Sequence, residues 1–166
     1  DEAGRGAWAG PVVAAAVVLA PNTDALRDLA PVKDSKLLTA RRRELCYDLI
    51  VQHALAYCVG GVSSGVIDSI GIVPATRLAM RAAIASLGLI PDYLLIDALS
   101  LDLDVPQKAI VKGDRYCLSI AAASVIAKVT RDRRMVALDA VSPGYGLARH
   151  KGYGTQLHRE SLQDLG

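Results

Sequence analysis

The chain has 166 residues, is 52% hydrophobic and carries a net charge of +2, with no Phe and one Trp. That length suits one domain with an aliphatic core, and the longest apolar stretch, Val12 to Ala20, is far too short to span a bilayer. Cys46, Cys58 and Cys117 are scattered without metal-type spacing, so they read as reduced thiols of a cytoplasmic protein.

In chain order, Val12 to Leu19 is β-branched and alanine-rich with no polar break, which predicts a buried strand. Pro21 to Pro31 reads as a connection with room for a helical turn. Thr39 is placed to N-cap a helix running to about His53, with Leu45, Leu49 and Ile50 on its apolar face. Ala56 to Val62 is the next strand, ending at Gly60-Gly61, followed by a short helix over Ser64 to Ile70. A stronger helix starts at Pro74, presents Leu78, Ala82, Ile84 and Ala85, and stops at Gly88. Tyr93 to Asp97 and Lys108 to Lys112 are short strands. Tyr116 to Val141 is a long helix broken by Ser142-Pro143-Gly144. Tyr145 to Thr155 is a glycine-rich basic loop, and Gln156 to Leu165 is helical. Strands and helices intermix, which predicts an α/β domain with a mixed sheet.

Basic residues concentrate in two stretches. Lys33, Lys36, Arg41, Arg42 and Arg43 form one; Lys128, Arg131, Arg133, Arg134, Arg149, Lys151 and Arg159 form the other. Two such stretches around an acidic remainder suit a polyanion held over a metal site, and they equally suit ordinary solvated faces.

Asp1, Glu2, Asp97 and Asp114 each end or follow a predicted strand, where sites of α/β sheets gather. Adjacent carboxylates repel unless a cation sits between them. Carboxylate oxygens suit Mg²⁺ or Mn²⁺, and two such ions about 3.5–4 Å apart can drive an in-line displacement at phosphorus. Gly4-Arg5-Gly6 follows directly, offering backbone N–H groups and a guanidinium to a phosphate. Each residue also has an ordinary reading. Asp1-Glu2 can be a solvated end, Asp97 a turn cap, Asp114 a helix N-cap and Gly4-Arg5-Gly6 a tight turn. Asp132 is a rival fourth ligand, but Lys128 lies four residues before it, so an intrahelical ion pair explains it. Tyr153, set among basic and glycine residues, is suited to stack on a sugar or base, or to pack under its loop. His158 is a candidate for phosphate binding or acid–base work, though a lone His is more often neither. Ser124 and Lys128 lie one helical turn apart and could reach one phosphate; Ser124 could also be helix filler.

Taken in order, several segments resemble the bacterial ribonuclease HII family, the type 2 ribonucleases H. These are Asp1-Glu2-Ala3-Gly4-Arg5-Gly6, Ala9 to Val17, Asp34-Ser35-Lys36-Leu37-Leu38, Leu95-Ile96-Asp97, Val111-Lys112-Gly113-Asp114, Ser119 to Asp132 and His150 to Thr155. The resemblance implies a ribonuclease H-like fold, a central five-stranded mixed sheet flanked by helices. It implies cleavage of the RNA strand of RNA–DNA hybrids and incision 5′ to a single ribonucleotide in duplex DNA, leaving 3′-hydroxyl and 5′-phosphate ends. Carried over by position, Asp1, Glu2, Asp97 and Asp114 match the metal-binding, catalytic carboxylates. Gly4, Arg5 and Gly6 match the segment that reads the ribose 2′-hydroxyl and grips the adjacent phosphate. Tyr153 matches the residue that stacks on the following sugar. Lys36, Ser124 and Lys128 are candidates for backbone contacts.

Two segments depart from the family pattern. Ala7-Trp8 stands where Pro and an aliphatic residue are usual, a change expected to affect packing behind the motif without supplying chemistry. Ala98-Leu99-Ser100 replaces the commoner Gly-Asn after the third carboxylate. We expect residues 1–166 to be one catalytic domain cut at both ends, monomeric, acting on nucleic acid away from membranes. Alternative readings are a junction resolvase of the same fold group and a non-catalytic nucleic-acid binder; the related ribonuclease HIII family shares the catalytic logic but usually carries an extra N-terminal binding domain.

Overall fold

The structure is a computed structural model that describes residues 1–21 and 23–166, with residues 23–25 by backbone alone. β1 (Glu2–Ala3) pairs antiparallel with β2 (Val12–Leu19), Glu2 opposite Ala14 and Ala3 opposite Val13. α1 (Thr23–Asp28) and a 3₁₀ turn (Ser35–Leu37) lead into α2 (Ala40–His53). The helical turn expected between Pro21 and Pro31 is α1; Asn22 lies outside the described residues. The expected cap is in place: the Thr39 hydroxyl accepts from Arg42 N–H at 3.3 Å. The apolar face is rotated from expectation. Cys46 and Ile50 are buried, whereas Leu45 is exposed, because α2 meets the rest of the molecule along the i, i+4 pair.

β3 (Ala54–Val62) pairs antiparallel with the whole of β2, with a register shift at Val18/Leu19. The strand starts two residues before the expected Ala56 and, as expected, runs to Val62, opposite Val12, with Gly60 and Gly61 paired within it. Gly60 is the point of closest approach of the next layer, where any Cβ would collide with the Ala79 carbonyl. That layer is α3 (Ser64–Ile70) and α4 (Ile72–Ala85). α4 begins two residues before Pro74, and its buried face is Ala75, Thr76, Ala79, Met80 and Ala83. The predicted Leu78 and Ala82 face solvent. Small residues line the buried side because the helix lies close against the strand.

β4 (Leu94–Asp97) and β5 (Gln107–Ile110) form a parallel pair. β5 ends earlier than predicted because Lys112 turns left-handed (φ 58°) to enter α5 (Gly113–Tyr116). The predicted long helix is present as one unbroken element that begins two residues later than expected, with the short α5 turn before it. Cys117 is extended between α5 and α6 (Leu118–Val141). α7 (Leu147–His150) lies inside the predicted basic loop, and α8 (Gln156–Leu165) closes the chain, capped by the Thr155 hydroxyl.

The five described strands pair as an antiparallel sheet in the order β1-β2-β3 and a parallel pair β4-β5, within an α/β architecture. Successive side chains of β2 feed two cores, as a period of two requires. Val12 and Ala14 meet α4 and β4 residues Leu94 and Ile96. Ala15 meets α6, where Ala121 to Ala123, Val125 to Ala127 and Val129 are buried with Cys46 and Ile50. Alanines let α6 sit close on the sheet, which sets Asp114, Arg131 and their neighbours at the strand ends. The three cysteines are free thiols, and no described helix is long and apolar enough to cross a membrane.

Candidate functional site

Three of the four expected carboxylates converge. Asp1 immediately precedes β1, Asp97 ends β4 and Asp114 lies in the first turn of α5; each offers an oxygen within 4.8 Å of the others. Asp97 Oδ1 accepts from Gly113 N–H at 2.8 Å, which ties the end of β4 to the start of α5. Asp1 is fastened through its backbone carbonyl, which accepts from Ala15 N–H at 2.9 Å, and its Oδ1 accepts from Glu2 N–H.

Glu2 stands outside that trio and faces the following turn. Its Oε1 accepts from the Arg5 guanidinium at 3.1 Å, while Oε2 is buried with no partner among the described residues. A buried carboxylate oxygen left unpaired costs about 1–3 kcal/mol or more. An orphan acceptor beside three crowded carboxylates fits hard divalent cations: the donor set is all oxygen and carries surplus negative charge.

The electrostatics point the same way. Burial pushes the Asp114 carboxyl above the usual aspartate range. The charges of Asp34 and Asp97 and a hydrogen bond to Asp34 add to the rise, and Lys36 opposes it. Lys36 Nζ lies 3.6 Å from Asp114 Oδ2, and Arg115 Nε lies 3.6 Å from Asp34 Oδ2. Asp34, only 2% exposed, was not singled out from the sequence. Its signal was local: it caps the 3₁₀ turn by accepting from Lys36 N–H at 3.0 Å, and so aims Lys36 at Asp114. A carboxyl whose folded-state pKa is raised contributes stability below the unfolded value, and this is lost as pH rises through the raised one. At neutral pH Asp114 is therefore a net cost to the metal-free chain. Asp114→Asn should raise the melting temperature in a chelator at pH 7, with the gain vanishing in acid; a lower neutral-pH melting temperature would show the carboxylate is not under strain.

Asp132 sits apart from the trio, held by Lys128 Nζ at 2.6 Å and by Arg43 at 3.6 Å. The intrahelical pair thus accounts for it. Lys128 also lies 5.2 Å from the Tyr153 ring centroid, so it borders the Tyr153 loop. Ser124 is not available to a phosphate in this way. It is 3% exposed, its hydroxyl accepts from Ser35 N–H at 3.2 Å and donates to Ala121 O at 2.8 Å, and it steadies the turn that carries Lys36. Lys36 itself is open to solution.

The Gly4-Arg5-Gly6 turn and the Tyr153 loop are fastened together. Ala7 bridges Tyr153, and Gly152 O accepts from both Trp8 N–H (2.8 Å) and Ala9 N–H (3.2 Å). Between them lies Arg131, fully buried and not singled out from the sequence, where it read only as part of a basic stretch. Its guanidinium donates to Pro11 O at 2.9 Å, Lys151 O at 2.8 Å and Ala9 O at 3.0 Å, and stands 5.3 Å from the Tyr153 ring centroid. Gly4 adopts φ 106°, and any side chain there would strike this guanidinium and the Pro11 carbonyl. His158 is 1% exposed and not a surface acid–base group; its Nδ1 donates to Tyr153 O at 3.1 Å. Its ring stacks on His150 at 4.2 Å, whose Nδ1 accepts from Gly152 N–H. Both imidazoles support the backbone under Tyr153.

A family model described as Ribonuclease HII matches residues 1–166. Ribonuclease HII of Dehalococcoides mccartyi is 54% identical over 167 residues, covering all of this chain and 79% of that protein. Ribonuclease HII of Chloroflexus aurantiacus is 56% identical over 168 residues, again across the whole chain and 79% of its relative. Among solved structures, ribonuclease H2 of Pyrococcus horikoshii OT3 superposes with a TM-score of 0.81 at 31% identity, covering 99% of this chain and 83% of that one. The RNase HII of a PCNA complex from Archaeoglobus fulgidus gives 0.79 at 29% identity over the same shares. Sequence and fold agree along the full length, and the chain belongs to the ribonuclease HII family of ribonuclease H endonucleases.

Proposed function

We propose that residues 1–166 form a single catalytic domain that cleaves the RNA strand of RNA–DNA hybrids and incises 5′ to a lone ribonucleotide in duplex DNA, leaving 3′-hydroxyl and 5′-phosphate ends. The observation that carries this is the meeting of Asp1, Asp97 and Asp114 within 4.8 Å, beside a turn that Glu2 holds through Arg5. Asp1, Asp97 and Asp114, with Glu2 Oε2 as the further acceptor, are the residues to hold two Mg²⁺ or Mn²⁺ ions. Such ions supply Lewis-acid polarisation of the phosphate, a more acidic bound water and charge neutralisation at the leaving oxygen.

The rest of the reading concerns the protein's own groups. Arg5, partly exposed beside Glu2, grips a substrate phosphate. Backbone groups of Gly4 to Gly6 hydrogen-bond the ribose 2′-hydroxyl, the group that separates RNA from DNA. A site built to bond a hydroxyl rejects the analogue lacking it by large factors, because its polar groups are then left unpaired. Tyr153, held by Arg131 and His158, lies over the next sugar and favours deoxyribose there. Lys36 and Lys128 steer the backbone phosphates.

Tyr153→Ala should lower kcat/KM for incision at a single embedded ribonucleotide by about tenfold, as expected for a lost stacking contact of about 1–3 kcal/mol. The dissociation constant for the same duplex should change less. Full incision by this variant would remove Tyr153 from the site. Cleavage mapping on a DNA duplex with one central ribonucleotide, with and without Mn²⁺, tests the function as a whole. The expected product is one metal-dependent nick 5′ to the ribonucleotide. Cleavage of an all-DNA four-way junction with no preference for the ribonucleotide would favour a resolvase, and metal-independent binding without cleavage would favour a non-catalytic binder.

A further inference from the structure

Trp8 packs one side of its ring on the Tyr153 loop and leaves the rest open. It is 56% exposed and lies two residues after Gly6, against the Tyr153 loop through its backbone bond to Gly152. Isolated exposed apolar side chains are ordinary, but this one is held in place. Its backbone N–H is donated to Gly152 O at 2.8 Å. Its six-membered ring rests against Gly154, where any Cβ would collide with it. Buried His158 stands 5.8 Å from it, tilted by 36°. The guanidinium of Arg159 lies 5.8 Å from its ring centroid, itself exposed. The result is a fixed aromatic plate, more than half open, carrying a cation at its rim. Gly154, against which the ring rests, and the adjoining Thr155 are exposed, as are Arg5 and Gly6 a few residues before Trp8 in the chain.

A rigid open indole costs little conformational entropy on binding, and a cation beside it favours an anionic ligand with a flat or apolar face. A nucleotide unit of a nucleic-acid backbone has both parts: a sugar to rest on the ring and a phosphate for the guanidinium. We propose that Trp8 and Arg159 form an additional substrate subsite, in which the indole receives the sugar of a nucleotide flanking the one at Tyr153 and Arg159 holds its phosphate. The inference rests on the proposed nucleic-acid function and adds a contact that the carboxylates and Tyr153 do not provide. It also accounts for the unusual residue at position 8, which anchors duplex on this side of the sugar-reading turn.

Trp8 is the only Trp in the chain, so its fluorescence reports on this position alone. The chain carrying Asp97→Asn, which blocks cleavage, is titrated with a labelled DNA duplex bearing one ribonucleotide. Duplex anisotropy and Trp8 emission are followed together. The expected result is a change in Trp8 emission that tracks the anisotropy, with acrylamide quenching of Trp8 falling by about half at saturation. Trp8→Leu should weaken duplex binding by about fivefold or more. Arg159→Gln should weaken it similarly and reduce the slope of log K against log salt by about one. Saturable anisotropy with unchanged Trp8 emission and quenching overturns the subsite while leaving the nuclease reading intact. No duplex binding at all, and no cleavage by the native chain, overturns that reading and the subsite with it. The native-residue fluorescence needs no substitution at position 8, so a poorly folding Trp8→Leu does not blunt the test.

Discussion

Asp97→Asn is expected to leave the chain folded and able to bind its duplex while lowering single-turnover cleavage in Mg²⁺ or Mn²⁺ by about a thousandfold or more. The substitution is nearly isosteric. The Asn side-chain oxygen can still accept from Gly113 N–H, the bond that joins β4 to α5 at 2.8 Å. What is lost is one of three negative charges whose oxygens meet within 4.8 Å. Lewis-acid stabilisation by bound ions is worth several kcal/mol of transition-state energy, and each 1.36 kcal/mol corresponds to about tenfold in rate. Weakened ion binding at the trio therefore reaches about three decades, whereas in the proposed function the duplex is held by Arg5, Lys36, Lys128 and Tyr153 and not by Asp97. Quenched-flow cleavage alongside a binding isotherm separates the two quantities. Near-native turnover would remove Asp97 from the reacting centre.

Arg131→Met should destabilise the fold by about 3–5 kcal/mol, measured by urea unfolding at constant ionic strength. Three carbonyl oxygens, from Ala9, Pro11 and Lys151, take their hydrogen bonds from this one guanidinium. Each bond to a charged group is worth about 1.5–3 kcal/mol, and each stranded carbonyl carries a desolvation cost. The full sum is not realised, because the guanidinium itself is expensive to bury; burial holds its pKa below the usual arginine value. Met restores apolar volume but no donor. Arg131→Lys should also be destabilising, since one ammonium cannot reproduce a planar fork that serves three acceptors. The functional consequence follows from what the carbonyls belong to. Ala9 and Pro11 follow the Gly4-Arg5-Gly6 turn, and Lys151 precedes Tyr153, so the two halves of the proposed sugar-reading surface lose their common strut. A variant within about 1 kcal/mol of the native chain would show that the strut is dispensable.

In hydrolysis of a backbone, misplacement of a reacting group by about 1 Å can cost about a hundredfold. That scale explains why so much buried hydrogen bonding surrounds residues that never touch the carboxylates. His150 and His158 support the backbone of Gly152 and Tyr153, and Ser124 supports the turn that carries Lys36. These are positioning roles, and they use up side chains that looked available for phosphate contacts when only their spacing was known.

Much of this protein could be read without coordinates. The β-branched run at Val12 to Leu19, the Thr39 cap, the short strand ending in Asp97 and the break at Ser142-Pro143-Gly144 rest on local signals: period, capping and turn chemistry. Those signals act over a few residues, so the chain alone carries them. The resemblance of ordered segments identified the family and named Asp1, Glu2, Asp97 and Asp114 as one site, but not what makes the three aspartates approach one another while Glu2 turns to Arg5. That approach depends on α6 lying close on β2 through its alanines and on a left-handed turn at Lys112 that aims α5 back at the end of β4. Faces were misjudged where packing chose between equivalent stripes: Leu45 and Leu78 are outside, while Cys46 and Ala79 are inside. Arg131, Asp34 and Trp8 mark the same boundary. Composition expects an Arg and an Asp outside and a Trp inside, yet tertiary hydrogen bonding buries the first two, and the third rests on Gly154 while staying more than half open. Local sequence sets which element forms, because its energies are short-ranged; which side chain is buried, and which carboxylates must share a space, is decided only when distant elements compete for the same contacts.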